Sequence, residues 1–309
     1  MPLRDSLNGY LRPSRKFFGI PEPSEGNPDV GILGIPYDIT SSHTPGARFA
    51  PDAIRKATDG ERSHSFPLSL TSSNKTLEDP LTRAMTIEDM GDLELGVQLP
   101  ESVAIHISEA ASILAKEQSR LLFLGGDHFV TYPLVKGIKK GNNEEIGLVY
   151  LDAHADYYDD MGGMTLSHAS TMKRIVEEKL VEHENIVGYD LRCITPEQRK
   201  ELGRNVCPGT HSEFQMSIDK ISKKVNHLYI SIDLDVLQPH IVPGISHPES
   251  GGLTMTQLVE ILDLCFQAKK VRYVDIVEFN PMLDTSQITG IAARDIVKAI
   301  LTGFAYYHK

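Results

Sequence analysis

From Val30 onward, short apolar runs ending in Gly, Asp or Asn alternate with longer segments whose apolar residues recur every three or four positions. The runs are VGILGIP (30–36), LLFLGG (121–126), IGLVYLD (146–152), NIVGYDL (185–191), HLYISIDL (227–234) and YVDIVEF (273–279). Several are apolar throughout instead of alternating, as parallel strands covered on both faces are. Between them, 101–117 repeats Val103, Ile107, Ala110 and Leu114 at helical spacing, and 286–304 does the same with Ile288, Ile291, Ala292, Ile296 and Ile300. Strand alternating with helix predicts an α/β fold, one parallel sheet with helices on both faces. No linker divides the pattern, so 1–309 reads as a single domain with 1–29 as an N-terminal extension. The Ser/Pro-rich stretch 63–80 reads as a surface insertion.

Composition narrows the partners. The chain carries 31 basic and 42 acidic side chains, a formal net charge of -11, with no basic run. Nucleic acid and anionic membranes need clustered Lys and Arg and are excluded as partners, whereas a small cation is not. Cys193, Cys207 and Cys265 are widely spaced with no CxxC, which indicates neither a disulfide framework nor a thiolate zinc site and fits a reducing cytoplasm. Residues 1–30 hold no apolar signal core, and no charge-free apolar run reaches the roughly 18 residues a membrane span requires. The expectation is a soluble cytoplasmic protein.

In an open parallel sheet, reactive groups gather beyond the carboxyl ends of the strands. Four runs end in polar clusters: GGDH (125–128), LDAHAD (151–156), SIDLD (231–235) and VEFN (277–280). Side chains alternate along extended chain, so Asp152, His154 and Asp156 project to one side at intervals of about 6.6 Å, as do Asp233 and Asp235. With His128 the set reaches four carboxylates and two imidazoles. So many carboxylates stay ionised together only if cations neutralise them. Oxygen and imidazole ligands without thiolate favour Mn²⁺ or a similar divalent ion. Two such ions about 3.5–4 Å apart would hold a water and bring its pKa towards neutrality.

These motifs resemble the ureohydrolase family of arginases and agmatinases. GIPYD at 34, PGARFAP at 45, GGDH at 125, DAHAD at 152, SIDLDVLQP at 231, GGLT at 251 and EFNP at 278 stand in the family's order and span most of the chain. The resemblance implies a three-layer α/β/α sandwich, assembled as a homotrimer or homohexamer, with two Mn²⁺ per chain, other divalent metals being possible. One ion would be bound by His128, Asp152, Asp156 and Asp233, the other by Asp152, His154, Asp233 and Asp235. Gln238 departs from the usual third aspartate, a position outside the family's ligand set.

The resemblance also implies hydrolysis of a small cationic guanidino substrate. A guanidinium is planar, delocalised and a poor electrophile, so its hydrolysis needs a strong nucleophile, an anionic clamp and a proton for the departing amine. Glu278 is the candidate clamp and Asp156 the proton carrier, while His168, in SHAST, matches a proton shuttle near the mouth. Thr254, in GGLT, resembles a substrate-contacting residue, or else caps the following helix. The remaining histidines read as surface or structural; His247 lies in the loop PGISHPESGG, within reach of the rim. The loop YYDDMGGMTLSHAS (157–170) lacks the Asn by which arginases hold an amino-acid head and resembles the agmatinase form. Asp159 or Asp160 would then meet the far amine of agmatine, giving putrescine and urea. Alternatives on the same core are arginase, guanidinobutyrase and formimidoylglutamase activity. A dinuclear phosphoesterase would add a GNH tripeptide, which the chain lacks, and a non-catalytic homologue would have lost ligands.

Overall fold

A computed structural model describes residues 2–20, 26–59, 62–68, 80–117, 119–206 and 209–307. The sheet has eight strands: β1 (Leu11–Arg12), β2 (Val30–Gly34), β3 (Ile87–Leu93), β4 (Arg120–Leu124), β5 (Ile146–Leu151), β6 (Ile186–Tyr189), β7 (His227–Asp233) and β8 (Val271–Val277). Their order across the sheet is β1-β3-β2-β4-β8-β7-β5-β6. Every pairing is parallel except the edge pair β1–β3.

Both faces of the sheet are covered, which is why its strands read as continuous apolar runs. Leu122, Leu124, Ile230 and Val274 face one core with the helices Met255–Gln267 and Ile288–Tyr307. Their neighbours Leu121, Phe123, Tyr229 and Tyr273 face the other, with Pro100–Ala115 and Thr131–Asn142. On the closing helix, Ala292, Ile296 and Ile300 are buried while Ile288 and Ile291 are exposed.

Two strands were not expected. β3 is buried along its whole length although it carries Glu88, Asp89 and Asp92. Arg55, fully buried, donates from Nε and Nη2 to the two oxygens of Asp89, both at 2.8 Å, and from Nη1 to Asp92 at 2.6 Å. Glu88 accepts from the Leu3 amide at 2.6 Å. The described part of the segment before Val30 is packed into the fold instead of trailing from it: β1 pairs with β3, and Leu3, Leu7, Phe17 and Ile20 are buried. Of the expected insertion 63–80, residues 69–79 lie outside the described residues, as do Cys207 and His308.

The topology places the polar clusters together. β4, β8, β7 and β5 are adjacent and parallel, so their carboxyl ends share one edge. Leu151 pairs with Ile232, which sets Asp152 level with Asp233 one residue on. Gly126 follows β4 where the chain crosses the segment after β2; a Cβ there would sit 1.7 Å from the Tyr37 carbonyl oxygen. Only glycine permits that approach, and it delivers Asp127 and His128 to the edge.

Candidate active site

The two central strand ends use their backbone to aim carboxylates. Asp152 Oδ1 accepts from the His154 amide at 2.6 Å, Asp233 Oδ1 from the Asp235 amide at 2.8 Å, and Asp235 Oδ1 from the Ala153 amide at 2.9 Å. The second oxygens point inward. Asp152 Oδ2, Asp156 Oδ2 and Asp233 Oδ2 lie 3.0, 3.1 and 3.1 Å from His128 Nδ1, and Asp235 Oδ2 lies 2.7 Å from His154 Nδ1. Asp156 and Glu278 reach this centre from left-handed backbone, at φ of 46° and 66°.

The residues behind the nest determine which nitrogen of His128 faces it. Asp275, fully buried, accepts from Ser231 Oγ at 2.7 Å, Thr131 Oγ1 at 2.7 Å and Tyr229 OH at 2.6 Å. Ser231 has thus given away its proton, so at 2.9 Å it accepts from His128 Nε2–H. Nδ1 is left facing three carboxylates, which raise the ring above its ordinary value against the effect of burial; with a cation between them, Nδ1 would offer its lone pair in the tautomer a metal ligand needs.

This arrangement fits divalent cations. One nitrogen cannot satisfy three carboxylate oxygens, and Asp152 Oδ2 is buried without an aligned donor. Ligand atoms of His128, Asp152 and Asp156 lie within 4.8 Å of one another, as do those of Asp152, His154 and Asp235, so Asp152 belongs to both groups. Burial, followed by the charges of Asp235 and Asp156, pushes the Asp152 carboxyl up to about 6. Burial and then Asp127 hold Glu278 well above the carboxylate range. Cations in the nest, and a guanidinium beside Glu278, would restore both to the charged form.

Above the nest is a cavity of about 170 Å³, lined by Asp156, Asp233, Asp235, His154 and Glu278 at its floor and by Ser42, Tyr158, Met161, His168, Cys193, Ile245 and His247 higher up. The structure brings His168 and Glu278 together, with His168 Nδ1 3.8 Å from Glu278 Oε1, and anchors that oxygen by the His128 amide at 2.8 Å. It takes Thr254, Asp159 and Asp160 elsewhere. Thr254 is the N-cap of Met255–Gln267, in a capping box with Gln257. Asp159 pairs with Lys173 at 3.1 Å, Asp160 accepts from the Gly163 amide at 2.8 Å, and neither lines the cavity. Residues the motifs did not single out are Ser42, Cys193 and Glu249, the last 3.6 Å from His154 Nε2. His247, whose loop reads as within reach of the rim, lines the cavity and stacks on His168 with ring centroids 4.9 Å apart. These four sit on loops with no periodicity, and only the fold brings them together.

Residues 28–303 match the model of the arginase family. The chain belongs to that family. Over 290 residues it is 31% identical to a guanidinobutyrase of Pseudomonas aeruginosa, covering 88% of this chain and 85% of that protein. It is 29% identical to an agmatinase of Blochmanniella floridana, covering 92% and 90%. Among solved structures it superposes on the proclavaminate amidino hydrolase of Streptomyces clavuligerus with a TM-score of 0.75 at 26% identity, covering 97% and 99%. The arginase-family chain is thus a ureohydrolase with the family's α/β fold, acting on guanidino compounds, and its His/Asp clusters are groups that can hold metal.

Proposed function

We propose that this arginase-family enzyme hydrolyses agmatine to putrescine and urea with two Mn²⁺ ions in the nest of His128, Asp152, His154, Asp156, Asp233 and Asp235. The observation that carries the choice of substrate is the lining of the cavity: among the described residues it includes no Lys or Arg. A substrate with an anionic tail, such as arginine or guanidinobutyrate, would bring a carboxylate into a lining with neither a cation nor the Asn by which arginases hold an amino-acid head. Tyr158, Met161 and Ile245 suit a methylene chain, and the net charge of -11 favours approach of a dication.

When bound, the metal pair supplies Lewis acidity and water that is acidic near neutral pH. The chain's own groups do the rest. Glu278, its Oε1 fixed by the His128 amide, accepts hydrogen bonds from the guanidinium and holds its plane over the nest. A C–O bond forms to the guanidino carbon and the C–N bond to the alkyl nitrogen breaks. Asp156, steadied by Tyr150 OH at 2.8 Å, passes the proton released by water to the leaving nitrogen, and His168 carries protons at the mouth.

Urea release by Mn²⁺-loaded protein from agmatine, arginine and 4-guanidinobutyrate tests this reading. We expect kcat/KM for agmatine to exceed the others by about 10-fold or more, the order of one charge left unpaired. Preference for either carboxylate-bearing compound would overturn the assignment.

A further inference from the structure

His168 is a neutral imidazole at pH 7, because burial, reinforced by the neighbouring His247, lowers it to about 4 in spite of Asp156. A neutral ring carries one N–H, and which nitrogen bears it decides whether the ring gives or takes a proton on the side of Glu278. The contacts answer this. The backbone N–H of Ser42 donates to His168 Nε2 at 3.3 Å, and a backbone amide can only donate. Nε2 therefore carries the lone pair. Ser42 Oγ lies 3.1 Å from the same nitrogen and, having no proton to receive from it, donates there too. Its own lone pairs are then open to His247 Nε2, also at 3.1 Å, which must be the N–H donor.

We propose that Ser42 and His247 are positioning residues that fix the tautomer of His168, so that its Nδ1–H, and not a lone pair, is presented toward Glu278 and the cavity. The direction runs from His247 N–H to Ser42 O–H to His168, with His168 donating at its far end. The ring is held in place from two other directions. His247 stacks on it at 26°, and the backbone amide of His168 donates to Thr40 Oγ1 at 3.0 Å, which in turn donates to Asp127 Oδ2 at 2.6 Å. The proposal rests on the ureohydrolase reading for its catalytic consequence: as Nδ1–H passes toward the leaving amine, Nε2 takes the Ser42 Oγ proton, Ser42 takes the His247 Nε2 proton and His247 takes one from solvent at Nδ1, so that each ring ends neutral.

The test has two arms. Protein labelled with ¹⁵N-histidine and loaded with diamagnetic Mg²⁺ is read by long-range ¹H–¹⁵N correlation, with His168 assigned by its loss in His168→Asn. We expect the Nδ1–H form in the unsubstituted protein and a smaller majority of it in Ser42→Ala, where only the 3.3 Å contact from the backbone N–H of residue 42 still favours it. In the Mn²⁺-loaded enzyme, Ser42→Ala should lower kcat roughly 10-fold to 100-fold, part of what a proton-transfer group contributes, with KM within about 2-fold. Ser42→Thr should restore most of the rate. His247→Gln, which keeps a donor, should lose less than His247→Phe, which keeps only a ring face. An Nε2–H tautomer in the unsubstituted protein, or a tautomer change in Ser42→Ala without loss of kcat, overturns the proposal. If no guanidino compound is turned over, the functional reading fails, and the spectra still decide the direction of the hydrogen bonds.

Discussion

The floor of the cavity and its rim are built on different principles. At the floor, Asp152, Asp233, Asp235 and Glu278 each fix an oxygen on a backbone amide two residues away or across the sheet edge. For the three aspartates the other oxygen is thereby aimed at His128 or His154. Behind them Asp275 is saturated by three hydroxyl groups. At the rim, Ser42, Tyr158, Met161, Cys193 and His247 come from loops far apart in sequence, and the nearby acids Asp159 and Asp160 are committed to Lys173 and a backbone amide. The chemistry is therefore tied to the sheet, while selection of the substrate's far end is left to groups that loops can exchange without disturbing it.

If the contrast is right, substitutions at the floor cost far more than substitutions above it. Asp152→Asn should abolish most metal binding, measured by elemental analysis, and lower urea release by roughly 10³-fold or more, because Asp152 belongs to two of the ligand clusters at once. Retention of both would remove Asp152 from the centre. Glu278→Gln should lower kcat/KM on the order of 10²-fold to 10³-fold, the scale of losing a group aimed at transition-state charge. An intermediate effect concerns acid stability. His168 is depressed to about 4 from an ordinary value of 6.5, so as pH falls through this window the unfolded chain binds a proton the folded chain refuses. The stability is intact above the upper value, erodes down to the lower and then levels off. Melting temperatures at pH 7 and pH 5 should therefore diverge less in His168→Phe than in the unsubstituted protein. Thr254→Ala should cost ~1 kcal/mol in denaturant unfolding, as loss of an N-cap does, with kcat unchanged. The smallest effect is expected for Asp159→Asn, with KM for agmatine within about 2-fold; a 10-fold rise would show that this loop moves over the cavity and would break the contrast.

What the sequence revealed follows the same division. The central strands were legible because they are apolar on both faces, and the floor was legible because DAHAD and DLD have no packing purpose at a strand end. β3 escaped because IEDMGDL reads as charged surface. Its acids are buried only by virtue of Arg55 and the N-terminal residues, contacts that span 34 to 85 positions. The rim was legible only in part, for a related reason: the loop PGISHPESGG pointed to His247, but its partner Ser42 lies 205 residues away and nothing local marks it. GGLT left two readings open, because a threonine ahead of a helix serves equally as a cap, and the structure shows Thr254 in that second role.

The left-handed backbone at Asp156 and Glu278 sets two demands against each other. An L-residue pays on the order of 1–2 kcal/mol for that conformation, whereas glycine occupies it freely and asparagine more easily than most. Both positions are thus places where a search for thermostable variants would be rewarded by replacing the very carboxylates that face the cavity. A library screened for heat resistance alone would drift toward well-folded, inactive protein, and the fold itself, not catalysis, would be what such a selection preserves.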